Sequence, residues 1–387
     1  MHLTTEFPPL IYGGLGTAVG ALASASARRG MSISVLLVGT EGDPSYQAPV
    51  RLALRSTAQV NSACELDIHV VPTSHRLSEP AGIEWARRWR PDVLHLHSFW
   101  LWPVAEAIRA STGVPIVYTV HSLDRAEYEI GQGPAECLTQ WNIQEYAIAR
   151  ADAIVALTRA ESALIDAYVP GARSRVHIVG NGIDVSKVSM ASLTKRHSAN
   201  HDVMVLFSGR FVERKGVQEL LAAVPKVLEH RPNVRFVLAG GYRGCNGEDI
   251  ARRWFGPGFD RYSDRVQFPG WLDESAMAKW YSCADILVVP SWYEPFGMVV
   301  LEGMLHGLAV AASDVGGPHE ILEDDVTGLL FRPRDSVALA QAIGRLADSQ
   351  TLRNRLGRSA ARRVREFWSY NTVINLMDNV YAKVSRH

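Results

Sequence analysis

The sequence predicts an α/β protein with doubly wound parallel sheets, and three observations predict it. Short apolar runs of strand length alternate with helix-length stretches along the whole chain, the pattern of successive βαβ units. Runs such as 284–290 (ADILVVP) are apolar almost throughout rather than at every second position, as in strands covered on both faces. A polar, patternless stretch from Asn181 to Asp202 divides the series in two and reads as a linker. The 387 residues suit two or three domains. Hydrophobic residues are 47% and charged residues 21%, the balance of a soluble globular chain. Net charge is zero and no basic run interleaves with aromatics, so a nucleic-acid partner is not expected. Cys64, Cys137, Cys245 and Cys283 are far apart with no CxxC. They point to reduced thiols in the cytoplasm rather than a disulfide frame or zinc site. No apolar run reaches membrane-spanning length and no signal peptide is evident.

The chain opens with a strand from His2 that exits at Pro8-Pro9. Tyr12-Gly13-Gly14-Leu15-Gly16-Thr17 follows, then a helix to Gly30 and a strand from Ile33 to Val38. Glycines in such a loop let backbone N–H groups approach an anion. The loop is neither GxGxxG nor GxxxxGK[ST], which disfavours a dinucleotide fold or a P-loop, and a plain tight turn also fits it. Further strands are expected at 66–71, 92–97, 115–120, 153–157 and 176–179, with a helix at about 134–150. His97 and His121 fall at the C-terminal ends of two of these strands, where sites of doubly wound sheets lie. Each also has an ordinary reading as a hydrogen-bonded loop residue.

A second series starts at Val203 and ends its first strand at Arg210. Lys215-Gly216 then opens the amphipathic helix Val217–His230. Arg offers a bidentate fork and Lys a point charge for phosphate; an exposed basic turn fits as well. Strands follow at 235–239, 266–268, 286–289 and 309–312, with 240–259 read as a Gly-rich loop. Helices are expected at about 336–347, 352–366 and 370–384. The most informative stretch is Ser291 to Glu320. A buried strand leads through Pro295-Phe296-Gly297 into a helix from Met298 to His306, and a helix start suits a phosphate. Glu294 precedes the turn and Glu302 sits one turn into the helix, leaning back towards its start. The pair suits sugar and ribose hydroxyls, although a helix-start charge beside a loop acid would look alike.

These motifs in this order resemble the GT-B glycosyltransferases of the large retaining family 4, close to glycogen and starch synthases. The resemblance covers nearly the whole chain. It rests on Gly13-Gly14-Leu15-Gly16, His121, Asn181-Gly182-Ile183-Asp184, Gly209-Arg210, Lys215-Gly216, and Glu294 with Glu302, the family's EX7E spacing. Gly316-Gly317 and Thr327-Gly328-Leu329-Leu330 also match. It implies two Rossmann-like domains facing across a cleft: residues 1–182 with a returning helix in 367–387 for the acceptor, and 183–366 for the nucleotide-sugar donor. Arg210 and Lys215 would hold the donor diphosphate, and Glu302 the ribose. The backbone of Gly297, Met298 and Val299 would meet the distal phosphate and sugar. Glu294 and His121 would be the catalytic-centre residues, near the reacting carbon. Gly14, Leu15 and Gly16 would close over the diphosphate, and Leu272 would lie by the base. No DxD motif occurs, so no metal and no cofactor are expected, with fixed cations and helix N–H groups neutralising the leaving diphosphate. Retention and a UDP-linked hexose or amino-hexose follow from the resemblance alone.

For the acceptor, 124–145 carries Asp124, Glu127, Glu129, Glu136 and Glu145 against one cation, Arg125. The expectation is that Asp124, Glu127, Glu136 and His97 bind a small cationic acceptor, such as an aminocyclitol, while a solvated acidic face fits the same residues. Trp100, Trp102, Tyr128 and Trp141 offer flat surfaces for rings. The YGGLG loop also resembles glycosyltransferases of aminoglycoside antibiotic assembly. Glycogen synthases usually carry a Lys there, where this chain has Ile11 or Tyr12. An α-glucan synthase or a cell-envelope enzyme stays open, the latter through Trp85-Ala86-Arg87-Arg88-Trp89-Arg90 as a membrane-facing segment. A sugar-nucleotide binder or epimerase is the reading of another class, and the EX7E pair speaks against the epimerase.

Overall fold

The computed structural model describes residues 1–8, 11, 13–39, 66–71, 75–130, 137–195, 202–241 and 247–385. The chain divides into two compact units, Met1–Asp184 with Tyr370–His387, and Val185–Ser369.

The first unit holds strands β1 (His2–Thr4), β2 (Ile33–Val38), β3 (Leu66–Val71), β4 (Leu94–Leu96), β5 (Ile116–Val120), β6 (Ala153–Ala156) and β7 (Val176–Ile178). Among the described residues they form one sheet in the order β3-β2-β1-β4-β5-β6-β7, parallel at every pairing. β2, β4, β5 and β6 are buried at every position, which accounts for their largely apolar composition without a polar residue at every second position. The helices are α1 (Gly14–Arg28), α2 (His75–Trp89), α3 (Trp102–Thr112), α4 (Asp124–Glu129), α5 (Cys137–Arg150) and α6 (Arg159–Tyr168). Trp85 of α2 stacks on His69 at 4.3 Å and donates its indole N–H to Ser34 Oγ at 2.7 Å. That indole is spent on the sheet edge, which removes its expected use as a membrane-facing group. No described helix is long and apolar enough to cross a membrane.

The second unit holds β8 (Val203–Ser208), β9 (Val234–Ala239), β10 (Val266–Gly270), β11 (Ile286–Val289), β12 (Ala309–Ser313) and β13 (Leu329–Phe331). They form a parallel sheet in the order β10-β9-β8-β11-β12-β13. Its helices are α7 (Val217–Leu228), α8 (Gly247–Phe255), α9 (Glu274–Cys283), α10 (Met298–Leu305), α11 (Gly316–Ile321), α12 (Ser336–Asp348) and α13 (Gln350–Phe367). α12 and α13 start where the sequence supplies caps: Asp335 accepts from the N–H groups of Val337 and Ala338, and Ser349 from that of Leu352. Much of the expected loop at 240–259 is α8, whose Ile250 and Ala251 are buried against the core. The six glycines of 240–259 masked the helical period. The expected linker is ordered in part as well: Met190–Lys195 forms a 3₁₀ turn, and Arg365 donates to the Val188 carbonyl at 2.6 Å.

The last helix, α14 (Tyr370–Val384), belongs to the first unit. Val373, Met377 and Val380 pack on Val117, Val155 and Val179. The Tyr370 N–H donates to the Ile183 carbonyl at 3.2 Å, and a Cβ at Gly182 would lie 2.8 Å from the Tyr370 ring. The glycine of the Asn181-Gly182-Ile183-Asp184 motif is thus required by the approach of α14. In both sheets the strand order reverses at one point, between β1 and β4 and between β8 and β11. Crevices beyond those strand ends are where doubly wound sheets bind ligands.

Candidate active site

In the second unit, glycines draw the strand ends together at the reversal. The Gly209 N–H donates to the Ala239 carbonyl at 3.0 Å and the Gly240 N–H to the Gly270 carbonyl at 2.8 Å. Gly240 has φ +132°, and a Cβ on it would fall 1.9 Å from the Gly209 carbonyl oxygen. Gly216, at φ +70°, brings the Lys215 loop against Pro290, whose carbonyl oxygen lies 1.9 Å from where a Cβ would be. The Trp292 N–H then donates to the Arg214 carbonyl at 2.7 Å. Arg210 and Lys215 therefore stand beside the segment that carries Glu294.

Lys215 Nζ donates to Glu294 Oε2 at 2.5 Å, and Ser291 Oγ donates to the same oxygen at 3.0 Å. Burial pushes the Glu294 carboxyl up, but the Lys215 ammonium and its hydrogen bond, with Arg214 and Ser291, outweigh it and hold the group below the usual carboxylate range. Burial lowers Lys215, against the pull of Glu294 and with help from Arg214 and Arg210. The result is an ion pair at neutral pH that leaves two ammonium protons of Lys215 to other acceptors. The turn after Glu294 is clamped by Gly317, whose N–H donates to the Glu294 carbonyl at 2.8 Å and whose Cβ would meet the Phe296 carbonyl oxygen at 1.8 Å. Gly297 caps α10 at φ +99°. The N–H groups of Met298 and Val299 precede the first internal bond of that helix, from Val300 to Gly297.

Glu302 sits one turn into α10. It accepts from the Tyr281 hydroxyl at Oε2, 2.6 Å, and burial raises its pKa. Tyr281 in turn stacks on His306 at 5.3 Å. One carboxylate oxygen is thus fixed by α9. Leu272 is half-buried just past β10, beside the exposed Trp271. Ser291 and Tyr281 had not been singled out in the sequence. Ser291 lies three residues before Glu294, a local signal, whereas nothing local marks Tyr281.

In the first unit the glycine loop opens α1. Its Gly16 N–H donates to the Glu6 carboxylate at 3.3 Å, and Leu15 packs on the apolar cluster under the helix. The Gly16 N–H thus meets a carboxylate. Across the sheet His2 Nδ1 lies 2.9 Å from His97 Nε2, and His97 Nδ1 lies 3.1 Å from His121 Nε2. His95 bonds Tyr381 at 2.7 Å and Thr119 at 2.6 Å. Burial lowers His121 to about 4, and it lowers His2, His95 and His97 well below the ordinary imidazole value. All four are neutral at physiological pH. His97 is 3% exposed with both ring nitrogens engaged, so it has no nitrogen for an acceptor, contrary to expectation. Ring nitrogens of His2, His95 and His97 lie within 4.8 Å of one another, but five of the six already have hydrogen-bond partners. His121 and His97 line a pocket of about 420 Å³, its open mouth included, with Thr119, Asn181 and apolar groups of α1 and α14.

The acidic stretch is less free than its composition suggests. Arg125 bonds Glu129 at 3.0 Å and Glu145 at 3.3 Å, and Tyr168 donates to Glu129 at 2.6 Å. Asp124 and Glu127 occupy the first turn of α4, half-buried, directly after His121. Glu136 lies outside the described residues. Trp102 is 2% exposed and belongs to the core, not to a ring-binding surface. Trp100 is exposed, and Tyr128 and Trp141 meet edge-on at 5.1 Å.

Comparison with known proteins agrees with this geometry. Residues 12–187 match the Glycosyltransferase Family 4 model and residues 202–349 the Glycosyl transferases group 1 model. A glycogen synthase of Mycobacterium tuberculosis is 26% identical over 100% of this chain and 95% of its own. A D-inositol 3-phosphate glycosyltransferase of Salinispora tropica is 30% identical over 76% of this chain and 65% of its own. Among solved structures, the sucrose-phosphate synthase of Thermosynechococcus elongatus superposes with TM-score 0.78 and 25% identity, over 99% of this chain and 98% of that one. With two parallel sheets wound as GT-B folds are and a glycosyltransferase model matched in each half, the chain is a member of the GT-B glycosyltransferases of family 4.

Proposed function

We propose that the chain is a retaining, metal-independent glycosyltransferase that moves a hexose or amino-hexose from a UDP-sugar to a hydroxyl of a small cationic acceptor. The observation that carries the donor half is the Lys215–Glu294 pair set beside the start of α10. Arg210 and the two remaining Lys215 protons take the diphosphate, with the Met298 and Val299 N–H groups at its sugar end. Charge leaving with the diphosphate meets fixed cations already in place, which is how such a group is stabilised without a bound ion. Glu294, held ionised by Lys215, takes sugar hydroxyls near the reacting carbon. Glu302 takes the ribose on the oxygen that Tyr281 leaves open. An Anabaena protein of 18% identity, solved in complex with UDP-glucose, shares the fold and supports the choice of base.

The acceptor half rests on Asp124 and Glu127, which place negative charge in the turn after His121, while Arg125 is committed to Glu129 and Glu145. Such a surface repels a phosphorylated acceptor and attracts an amine, as in aminocyclitols of antibiotic biosynthesis. A glucan acceptor is the second reading, favoured by the full-length likeness to a glycogen synthase. A mass-spectrometric screen of UDP-, GDP- and dTDP-sugars against aminocyclitols, glucans and sugar phosphates tests both. The expected product is a glycosylated amine-bearing acceptor from a UDP-sugar. Its acceptor KM should rise in Asp124→Asn or Glu127→Gln with donor KM unchanged. Efficient glucan elongation, or preferred use of a sugar phosphate, would overturn the acceptor assignment.

A further inference from the structure

We propose that His97, with His2 behind it, is a positioning residue: the chain His2–His97–His121 holds His121 in one tautomer and one ring orientation. The outer nitrogen of His121 then shows a single hydrogen-bonding character to a sugar hydroxyl. The proposal rests on the reading that His121 serves glycosyl transfer.

The three imidazoles come from β1, from the end of β4 and from the end of β5, which are adjacent in the sheet. Strand pairing therefore fixes their spacing, and the links of 2.9 Å and 3.1 Å are ordinary hydrogen-bond lengths. Each link needs one N–H and one bare nitrogen. A neutral imidazole carries one proton, so His97 must donate at one nitrogen and accept at the other. The protons of all three rings then point the same way along the chain. If they point towards His2, Nδ1 of His121 is a bare acceptor; if they point towards His121, it is a donor. One choice sets the whole chain, and no ring can change tautomer alone without facing two N–H groups or two lone pairs. Burial keeps His2 and His97 neutral, and desolvation does the same for the half-buried His121. No protein partner for Nδ1 of His121 appears among the described residues.

The surroundings keep the middle ring from turning. His95 lies 4.0 Å from His97, centroid to centroid, and is itself fixed by Thr119 and by Tyr381 of α14. His2 meets His97 end to end through their hydrogen bond, its ring tilted by 17° and its centroid 5.2 Å away. A cation among these rings would have to displace several of those bonds, so the cluster reads as a hydrogen-bonded scaffold rather than a metal site.

The test is ¹⁵N NMR of the ring nitrogens in the full chain, with kinetics of His97→Gln, His97→Phe, His121→Ala and the His97→Phe/His121→Ala double variant. In wild type, His121 should show one protonated and one bare nitrogen. In His97→Phe its two signals should move towards an average, and kcat should fall at least about tenfold with both KM values nearly unchanged. The double variant should be no slower than His121→Ala. An averaged His121 in wild type would overturn the proposal, and that spectrum decides it even if the His97 variants fold poorly. A single tautomer and full kcat in both His97 variants would overturn it too. Full turnover in His121→Ala would instead remove His121 from the reaction and leave the tautomer result to judge the chain.

Discussion

Acidifying the solution from about pH 7 to about pH 5 should loosen the first unit around its histidines. Burial holds His121 at about 4 against an ordinary value of 6.5. The folded state thus stays neutral where the unfolded chain takes up a proton, and stability is lost as the pH falls from 6.5 towards 4. At about pH 5 the unfolded chain is roughly 1.5 units below its pKa, which makes the loss about 2 kcal/mol for this one residue. His2, His95 and His97 act in the same direction. Amide hydrogen exchange in β4 and β5 reads this locally, after correction for the intrinsic pH dependence. Protection should fall by about 30-fold or more between the two conditions. In His121→Asn about that share of the pH dependence should disappear. Protection that is unchanged between about pH 7 and about pH 5, or an equal fall in His121→Asn, would refute the claim that these rings are buried neutral.

Three further outcomes concern the second unit. Lys215→Ala should raise donor KM and lower kcat by about 2–4 kcal/mol in transition-state terms, since it removes a phosphate contact and strands the Glu294 carboxylate. EDTA should leave the wild type active, and activity lost in EDTA and restored by Mg²⁺ or Mn²⁺ would sink the cradle of fixed cations. Glu302→Ala should weaken binding of free nucleoside diphosphate, measured calorimetrically, whereas Glu294→Gln should chiefly slow transfer. Equal loss of nucleotide affinity in both would show the roles to be wrongly divided.

Departures from expectation share a cause. Trp102 was read as a flat surface for rings and His97 as an acceptor-binding residue at a strand end; the structure buries both. The five acids at 124–145 looked unbalanced when counted, yet Arg125 reaches two of them across two helices. The Gly-rich 240–259 stretch hid α8 because glycine lowers helical propensity while leaving the apolar face intact. For the buried aromatics and the acidic stretch the misread quantity was a neighbour; for α8 it was the weight given to a local preference.

What the sequence determined by itself was everything with a short period. Apolar runs located most strands, capping residues started α12 and α13, and the eight-residue step from Glu294 to Glu302 put one acid before the helix and one within it. Tertiary structure alone decided which side chains share a bond. Lys215 meets Glu294 from 79 residues away, His97 meets His2 from 95, and His95 meets Tyr381 from 286. Those encounters depend on the order in which parallel strands enter a sheet. That order is set by crossover packing over the whole unit, and no local stretch of residues encodes it.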